Sequence, residues 1–164
     1  TFEGRAEAVR DVQFSPFYSN YFAAAFDNGS IQVWDIRRVA RYERVITAHR
    51  GPCLSVDWHP VNRNWLASGG RDLALRVWDL NDASHAARHL GAPSSVARLR
   101  WRPGGGTSRL HIAVGAAVMD STVHLWDLAS PRIPHRTLFG HNDVVTGLLW
   151  HHGLDAFIWT CSKD

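Results

Sequence analysis

The stretch Ile31-Gln32-Val33-Trp34-Asp35-Ile36 decides the fold, because two close copies follow it in this sequence of 164 residues. The copies are Leu75-Arg76-Val77-Trp78-Asp79-Leu80 and Val123-His124-Leu125-Trp126-Asp127-Leu128. Their tryptophans are 44 and 48 residues apart. Apolar and β-branched residues alternate in each copy, which indicates a β-strand. The chain is therefore built from a repeating unit.

A second series lies upstream of each Trp-Asp pair, with apolar residues at fixed spacing before an aromatic residue. Its four members are Val9-x-x-Val12-x-Phe14, Cys53-x-x-Val56-x-Trp58, Val96-x-x-Leu99-x-Trp101 and Val145-x-x-Leu148-x-Trp150. Proline follows the aromatic residue at Pro16, Pro60 and Pro103 and ends the strand, because it has no N–H to donate. Each period also contains an apolar run rich in alanine and glycine before its turn and a shorter, less regular apolar run after its Trp-Asp pair. Every period therefore predicts four strands and no helix.

Four strands in about 40–45 residues with a Trp-Asp signature resemble the WD-repeat β-propeller family. The resemblance implies an all-β fold, a partial WD-repeat β-propeller with four-stranded antiparallel blades: about three full blades and half of a fourth. We expect residues 1–164 to be part of a single propeller domain of a longer chain, since a closed ring needs about four to eight blades. The predicted units are the end of a preceding blade at 1–4, blades at 5–48, 49–91 and 92–140, and the first half of a further blade at 141–164.

Composition argues against several classes of function. The net charge is +3, with arginines scattered except for Arg37, Arg38, Arg41 and Arg44, so we expect no nucleic-acid partner. Two isolated cysteines and ten histidines show no metal-ligand spacing, so neither metal nor cofactor is expected. No apolar run is long enough to cross a bilayer and no signal peptide is visible, which predicts a cytoplasmic protein without direct membrane insertion.

One period contains a serine, a histidine and an aspartate, the residue types of a hydrolytic triad. They are His49, Ser68 and Asp72, followed by Trp78. The WD-repeat resemblance implies a structural role instead: Asp72 accepts from His49, His49 accepts from the Ser68 hydroxyl, and Ser68 accepts the Trp78 indole N–H. No G-x-S-x-G motif accompanies the serine. The fourth period repeats the set at the same spacing with His141, Thr160 and Asp164, so no catalytic residue is expected.

The first and third periods depart from this pattern. Arg5, Ala24 and Asn28 occupy the three positions in the first period, and Ala92, Val114 and Asp120 occupy them in the third. We expect these two blades to depend on apolar packing and on their tryptophans.

Several phrases are similar, beyond the general pattern, to the WD-repeat subunits of the GATOR complex. They include Val9-Arg10-Asp11-Val12-Gln13-Phe14-Ser15, Asp57-Trp58-His59-Pro60 and Leu66-Ala67-Ser68-Gly69-Gly70-Arg71-Asp72. This resemblance implies a non-catalytic scaffold that binds other subunits of a multi-protein complex. It also implies a function in relaying amino-acid availability to the target-of-rapamycin kinase, from a peripheral position at the lysosomal membrane surface. Family members carry a zinc-binding RING region, but none of its cysteines is present here.

Two sets of residues are candidate partner contacts. The residue before the turn aspartate faces one rim in propellers, which selects Asp27, Arg71, Met119 and Lys163. Alternatively, Trp34-Asp35-Ile36-Arg37 resembles the WDxR box of cullin-ligase substrate receptors, in which Arg37 is the adaptor contact.

Overall fold

The structure is a computed structural model that describes residues 7–38, 41–104, 110–116, 120–151, 153–154 and 156–164. Regular structure in these residues is formed by strands. Within them, no helix is long and apolar enough to cross a membrane.

In the part of the chain that the structure describes, fourteen strands form three four-stranded antiparallel sheets and one hairpin. Each sheet follows chain order from its first to its fourth strand, which confirms the predicted architecture. The first sheet contains β1 (Val9–Phe14), β2 (Tyr21–Phe26), β3 (Ser30–Asp35) and β4 (Arg44–Thr47). The second contains β5 (Cys53–Trp58), β6 (Trp65–Gly70), β7 (Ala74–Asp79) and β8 (Asp82–Gly91). The third contains β9 (Val96–Trp101), β10 (His111–Ala116), β11 (Val123–Asp127) and β12 (Arg136–Leu138). The hairpin is β13 (Val145–Trp150) and β14 (Ile158–Ser162). The blade boundaries given above stay predictions.

The hydrophobic core lies between successive sheets. The first strands of the sheets, β1, β5, β9 and β13, contact one another in succession. Three buried clusters each combine residues of two neighbouring sheets. In the second cluster, for example, Ala67 and Val77 of the second sheet lie with Leu99 and Ile112 of the third. Small residues in the second strands allow this approach, because a larger side chain would hold the sheets apart.

The connections divide the molecule into two loop surfaces, since neighbouring strands run in opposite directions. We call the surface formed by the loops after the first and third strands the Trp-Asp face, because each Trp-Asp pair lies there. The surface formed by the loops after the second and fourth strands is the hairpin face. His49 and Asp72 lie at the hairpin face, and Arg37 lies at the Trp-Asp face.

The tight turns of the hairpin face require left-handed backbone. Gly29 has φ +82° after Asn28, whose side chain accepts the Ser30 N–H at 2.9 Å. Leu73 occupies the equivalent place in the second sheet with φ +59° and a half-exposed side chain. A leucine in this region is strained, because its Cβ approaches the carbonyl oxygen.

We expect Leu73→Asn to stabilise the protein by about 0.5–1 kcal/mol, because asparagine tolerates this backbone and leucine does not. The measurement is the unfolding free energy from chemical denaturation. Leu73→Val is the matched control and should destabilise, since a β-branched side chain is poorly tolerated at positive φ. Asparagine lowering the stability as much as valine does would contradict this account of the turn.

Candidate functional site

A continuous hydrogen-bond chain connects the hairpin face to the middle of the second sheet. The Trp78 indole N–H donates to Ser68 Oγ at 2.9 Å, and Ser68 Oγ lies 2.8 Å from His49 Nε2. His49 Nδ1 lies 2.7 Å from Asp72 Oδ1. The carboxylate fixes the proton on Nδ1, so Nε2 accepts from the serine hydroxyl. Each donor in the chain therefore has an acceptor.

Charged neighbours hold Asp72 ionised. Burial alone would raise its pKa, but hydrogen bonds from Arg76 and His49 lower the pKa of Asp72 to about 2. Arg76 Nη1 lies 2.8 Å from Asp72 Oδ2, and the backbone N–H of Arg50 donates to the same oxygen at 3.2 Å. Burial lowers the pKa of His49 below its ordinary value, and the charge of Arg76 acts in the same direction. The pair is therefore a neutral imidazole donating to a carboxylate.

Burial separates this arrangement from a hydrolytic triad. Ser68 has no exposed surface, and its hydroxyl already donates to His49 and accepts from Trp78. A nucleophile must approach a substrate carbonyl to about 3 Å, which a fully enclosed oxygen cannot do. The geometry favours the structural interpretation.

Acid is expected to destabilise the protein through these two groups. The folded-state pKa of His49 lies below its unfolded value. Its contribution to the free energy of unfolding is therefore lost as the pH falls below about 6.5, because the unfolded chain then takes up a proton that the folded protein does not. The Asp72 pKa falls from 3.8 to about 2 on folding, so its contribution is present above 3.8 and is lost as the pH approaches 2. The difference in melting temperature between the parent and Asp72→Asn should therefore shrink between pH 4 and pH 2. A constant difference over that range would contradict the assignment.

The fourth unit repeats the geometry. His141 Nε2 lies 2.8 Å from Thr160 Oγ1, and His141 Nδ1 lies 3.4 Å from Asp164 Oδ1. The backbone N–H of Asn142 donates to Asp164 at 2.7 Å, as Arg50 does to Asp72. The structure thus brings together both sets of residues that the sequence singled out.

The third sheet differs from the expectation that apolar packing and its tryptophan hold it. Asp120 is 3.1 Å from His124 Nε2, and His124 Nδ1 is 3.0 Å from Thr137 Oγ1. The imidazole is thus supplied by the neighbouring strand β11 instead of the loop before β9. The Trp126 indole N–H is buried without an acceptor among the described residues, since Val114 replaces the serine. A single histidine on a strand gave no signal of this role.

In the first sheet, Ala24 is buried at the serine position, and Asn28 bonds only its own turn. Arg5, the residue at the histidine position, lies outside the described residues. The expectation for this sheet stays a prediction.

A second polar system joins the first three sheets, and sequence reasoning missed it. Asp11 Oδ2 accepts from Ser55 Oγ at 2.8 Å and from Arg100 Nη1 at 3.1 Å. Asp57 Oδ2 accepts the backbone N–H of Trp101 at 2.8 Å. Burial raises the pKa of Asp57 to about 7, although Arg100 and two backbone N–H groups oppose this shift. These contacts link residues 44 and 89 positions apart, so no local pattern announces them.

The candidate rim residues have different environments. Asp27 is held by Arg10 through two bonds, of 2.8 and 2.6 Å, and this partner lowers its pKa. Arg71 and Lys163 are exposed at the hairpin face. Met119 lies outside the described residues. Exposure leaves Arg71 and Lys163 available for partners, whereas Asp27 presents an ion pair.

Arg37, the candidate adaptor contact, is bound to its own Trp-Asp pair. Its guanidinium donates to both oxygens of Asp35, the shortest distance being 2.6 Å, and its backbone N–H donates to the same carboxylate at 2.9 Å. Arg37 and Asn20 together lower the pKa of Asp35 well below its ordinary range. The Arg37 side chain is nevertheless 68% exposed. This geometry gives Arg37 a contact within the fold, and its role as an adaptor contact stays a prediction.

The potential metal-ligating side chains are dispersed among the described residues. No three histidine, cysteine, aspartate or glutamate side chains in these ranges come together as a metal would require. Cys53 is buried, Cys161 is exposed, and both are free thiols.

The family described as WD domain, G-beta repeat matches residues 1–35 and 40–79. GATOR2 complex protein WDR24 of Danio rerio is 45% identical over all of this chain, which covers 21% of that protein. The Homo sapiens protein of the same name is 44% identical over the whole chain, again with 21% of its length covered. The chain thus spans about a fifth of the length of these curated relatives.

Among solved structures, a chain in the crystal structure of the mitotic checkpoint complex matches with a TM-score of 0.79 and 26% identity. The match covers 98% of this chain and 46% of that one. The repeat match, the identity to the relatives and the stacked four-stranded sheets agree with one another. The chain therefore belongs to the WD-repeat β-propeller family.

Proposed function

We propose that this chain is the propeller part of a GATOR2 subunit and that it holds other subunits of that complex without performing catalysis. The observation that carries the proposal is the 44–46% identity over the whole chain to proteins named GATOR2 complex protein WDR24. The complete burial of Ser68 supports a non-catalytic role, because it encloses the serine, histidine and aspartate set of the second sheet, which has the residue types of a hydrolytic triad.

The finer part of the proposal concerns signalling. The scaffold relays amino-acid availability to the target-of-rapamycin kinase, and the complex brings it to the lysosomal surface as a peripheral component. The resemblance of the phrases around Asp11, Trp58 and Asp72 to such subunits supports this step.

The experiment replaces the endogenous full-length protein with a variant lacking residues 1–164 and measures two quantities. These are co-purification of the other GATOR2 subunits and kinase activation after amino-acid refeeding. We expect both to fall while other propeller-containing complexes assemble normally. Unchanged assembly and unchanged activation would contradict the proposal.

A point variant separates the rim from the fold. Arg71→Ala should leave the melting temperature unchanged, because the side chain is exposed at the hairpin face. Undiminished co-purification of the other subunits with this variant removes Arg71 from the contact surface.

A further inference from the structure

The Trp-Asp face carries a groove of about 570 Å³ between the first two sheets. Four loops form its walls: those after β1 and β3 of the first sheet and those after β5 and β7 of the second. We call it the interblade groove, and its principal lining residues are Tyr18, Tyr21, Arg37, Arg44, Trp58 and Arg63. Aromatic rings and guanidinium groups therefore line the groove together.

Positive charge exceeds negative charge at this groove. Five arginines of its lining and of the loop after β3 stand against three carboxylates, those of Glu43 and of Asp35 and Asp79 at the ends of β3 and β7. Two of the three are already paired, Asp35 with Arg37 at 2.6 Å and Glu43 with Arg38 at 3.2 Å. Arg44 has no ion pair with any described residue, and Arg63 donates to the neutral Tyr18 hydroxyl at 3.2 Å. Arg44 and Arg63 are therefore cations without a carboxylate partner among the described residues.

The loops that form the groove also carry exposed hydrophobic side chains, of which Tyr18 lines the groove itself. Phe17, Tyr18, Ile36, Tyr42 and Val61 belong to its loops, and each is between 40 and 45% exposed. Tyrosine and arginine are enriched among the residues that dominate protein–protein binding energy, because each combines a large contact area with polar groups. The mixture is typical of a surface that takes a protein segment.

Both walls of the groove belong to sheets that the structure describes. This distinguishes it from the outer side of β1, where Val12 and Phe14 are exposed although their counterparts Val56 and Trp58 are buried against a neighbouring sheet. The exposure of Val12 and Phe14 is that of a sheet face lacking a neighbour. The interblade groove is instead complete between its two sheets.

We propose that the interblade groove binds an acidic segment of a partner protein, with aspartate or glutamate side chains on Arg44 and Arg63 and an apolar or aromatic side chain over Tyr21 and Trp58. Charge complementarity selects the occupant, because the guanidinium groups of Arg44 and Arg63 form no ion pair with a described residue and can donate to carboxylates in bidentate geometry. A nucleic acid fits less well, since two of the five arginines are already neutralised. This inference does not depend on the identity of the complex.

The test measures fluorescence anisotropy of labelled twelve-residue peptides with the full-length protein. The first peptide alternates glutamate with leucine and tyrosine, the second has glutamine for every glutamate, and twelve-nucleotide oligothymidylate is the third probe. Arg44→Glu/Arg63→Glu reverses the unpaired charges, and Arg44→Lys/Arg63→Lys retains them. Arg71→Glu is the matched control, since it changes an exposed arginine of the opposite face.

We expect the glutamate peptide to bind most tightly, with a Kd that rises about tenfold or more in the double glutamate variant. The lysine variant should bind with intermediate affinity, and Arg71→Glu should bind like the parent. Equal melting temperatures of all variants establish that folding is intact. Equal binding of the glutamine peptide, tighter binding of the oligonucleotide, absence of peptide binding, or an equal loss with Arg71→Glu would overturn the proposal.

Discussion

Asp72→Ala is expected to lower the free energy of unfolding by about 3 kcal/mol, measured by chemical denaturation with tryptophan fluorescence. Asp72 accepts from His49 at 2.7 Å, from Arg76 at 2.8 Å and from the Arg50 backbone. Its removal leaves the buried imidazole N–H of His49 without its acceptor and takes away the carboxylate partner of Arg76, which keeps only the Ala48 carbonyl oxygen at 3.0 Å among the described acceptors. Removing one partner of a buried charged pair costs about 3–5 kcal/mol, and the residual exposure of Asp72 places this case at the lower end.

Asp120→Ala is the matched control, because Asp120 occupies the same turn position in the third sheet. It bonds Thr122 and His124 but supports no serine–tryptophan pair behind the histidine. Its loss should therefore destabilise the protein less than the loss of Asp72 does. A larger effect for Asp120, or none for Asp72, would contradict the account of the chain.

Gly69→Ala is expected to lower the free energy of unfolding by about 3 kcal/mol through a different mechanism. A Cβ at Gly69 would collide with the Val96 side chain of the next sheet and approach Leu99 Cδ2 to 3.0 Å. Overpacking of a filled interior costs about 1–3 kcal/mol, and two fixed sheets cannot easily move apart. The prediction therefore tests the stacking of neighbouring blades.

Two other glycines, Gly115 and Gly91, allow the loss of stability to be compared with the closeness of the neighbouring atoms. A Cβ at Gly115 would meet Val145 at 3.1 and 3.2 Å, so Gly115→Ala should cost less than Gly69→Ala. Gly91 has no atom within 4 Å of its Cβ position, and alanine there should be neutral or stabilise by about 0.5 kcal/mol. Equal effects at the three positions would show that the sheets are not packed as described.

The sequence predicts those parts of the fold and site that repeat at fixed spacing. His49, Ser68 and Asp72 could be assigned to one chain because His141, Thr160 and Asp164 occur at identical intervals. The strands followed for the same reason, since alternation and turn residues recur in each period. Repetition identifies a role without any knowledge of distances.

The contacts that sequence analysis missed do not recur from one period to the next. His124 bonds Asp120 from within β11. The residues at the same position of the first and second sheets are Gln32 and Arg76, so the repeat did not suggest a histidine role at this position. Arg100 meets Asp11 across 89 residues, a contact that only the stacking of three sheets creates. Likewise, the pairing of Arg37 with Asp35 is a local choice of side-chain conformation that composition does not specify.

The division of roles follows from burial. The histidine, hydroxyl and aspartate side chains of the second and fourth units are bonded to one another inside the blades. Arg44 and Arg63, which form no ion pair with a described residue, lie on the Trp-Asp face at the junction of two blades. Mutations in the first group should change stability, and mutations in the second should change binding alone.

The most direct test of the structural role of the buried chain is a double-mutant cycle on Asp72 and Ser68. Asp72→Ala, Ser68→Ala and the double variant are compared by their free energies of unfolding. Because both residues bond His49, we expect the double variant to be more stable than the sum of the single effects predicts, with a coupling of about 1 kcal/mol or more. Strict additivity, or a Ser68→Ala variant as stable as the parent, would show that the chain does not hold the blade together.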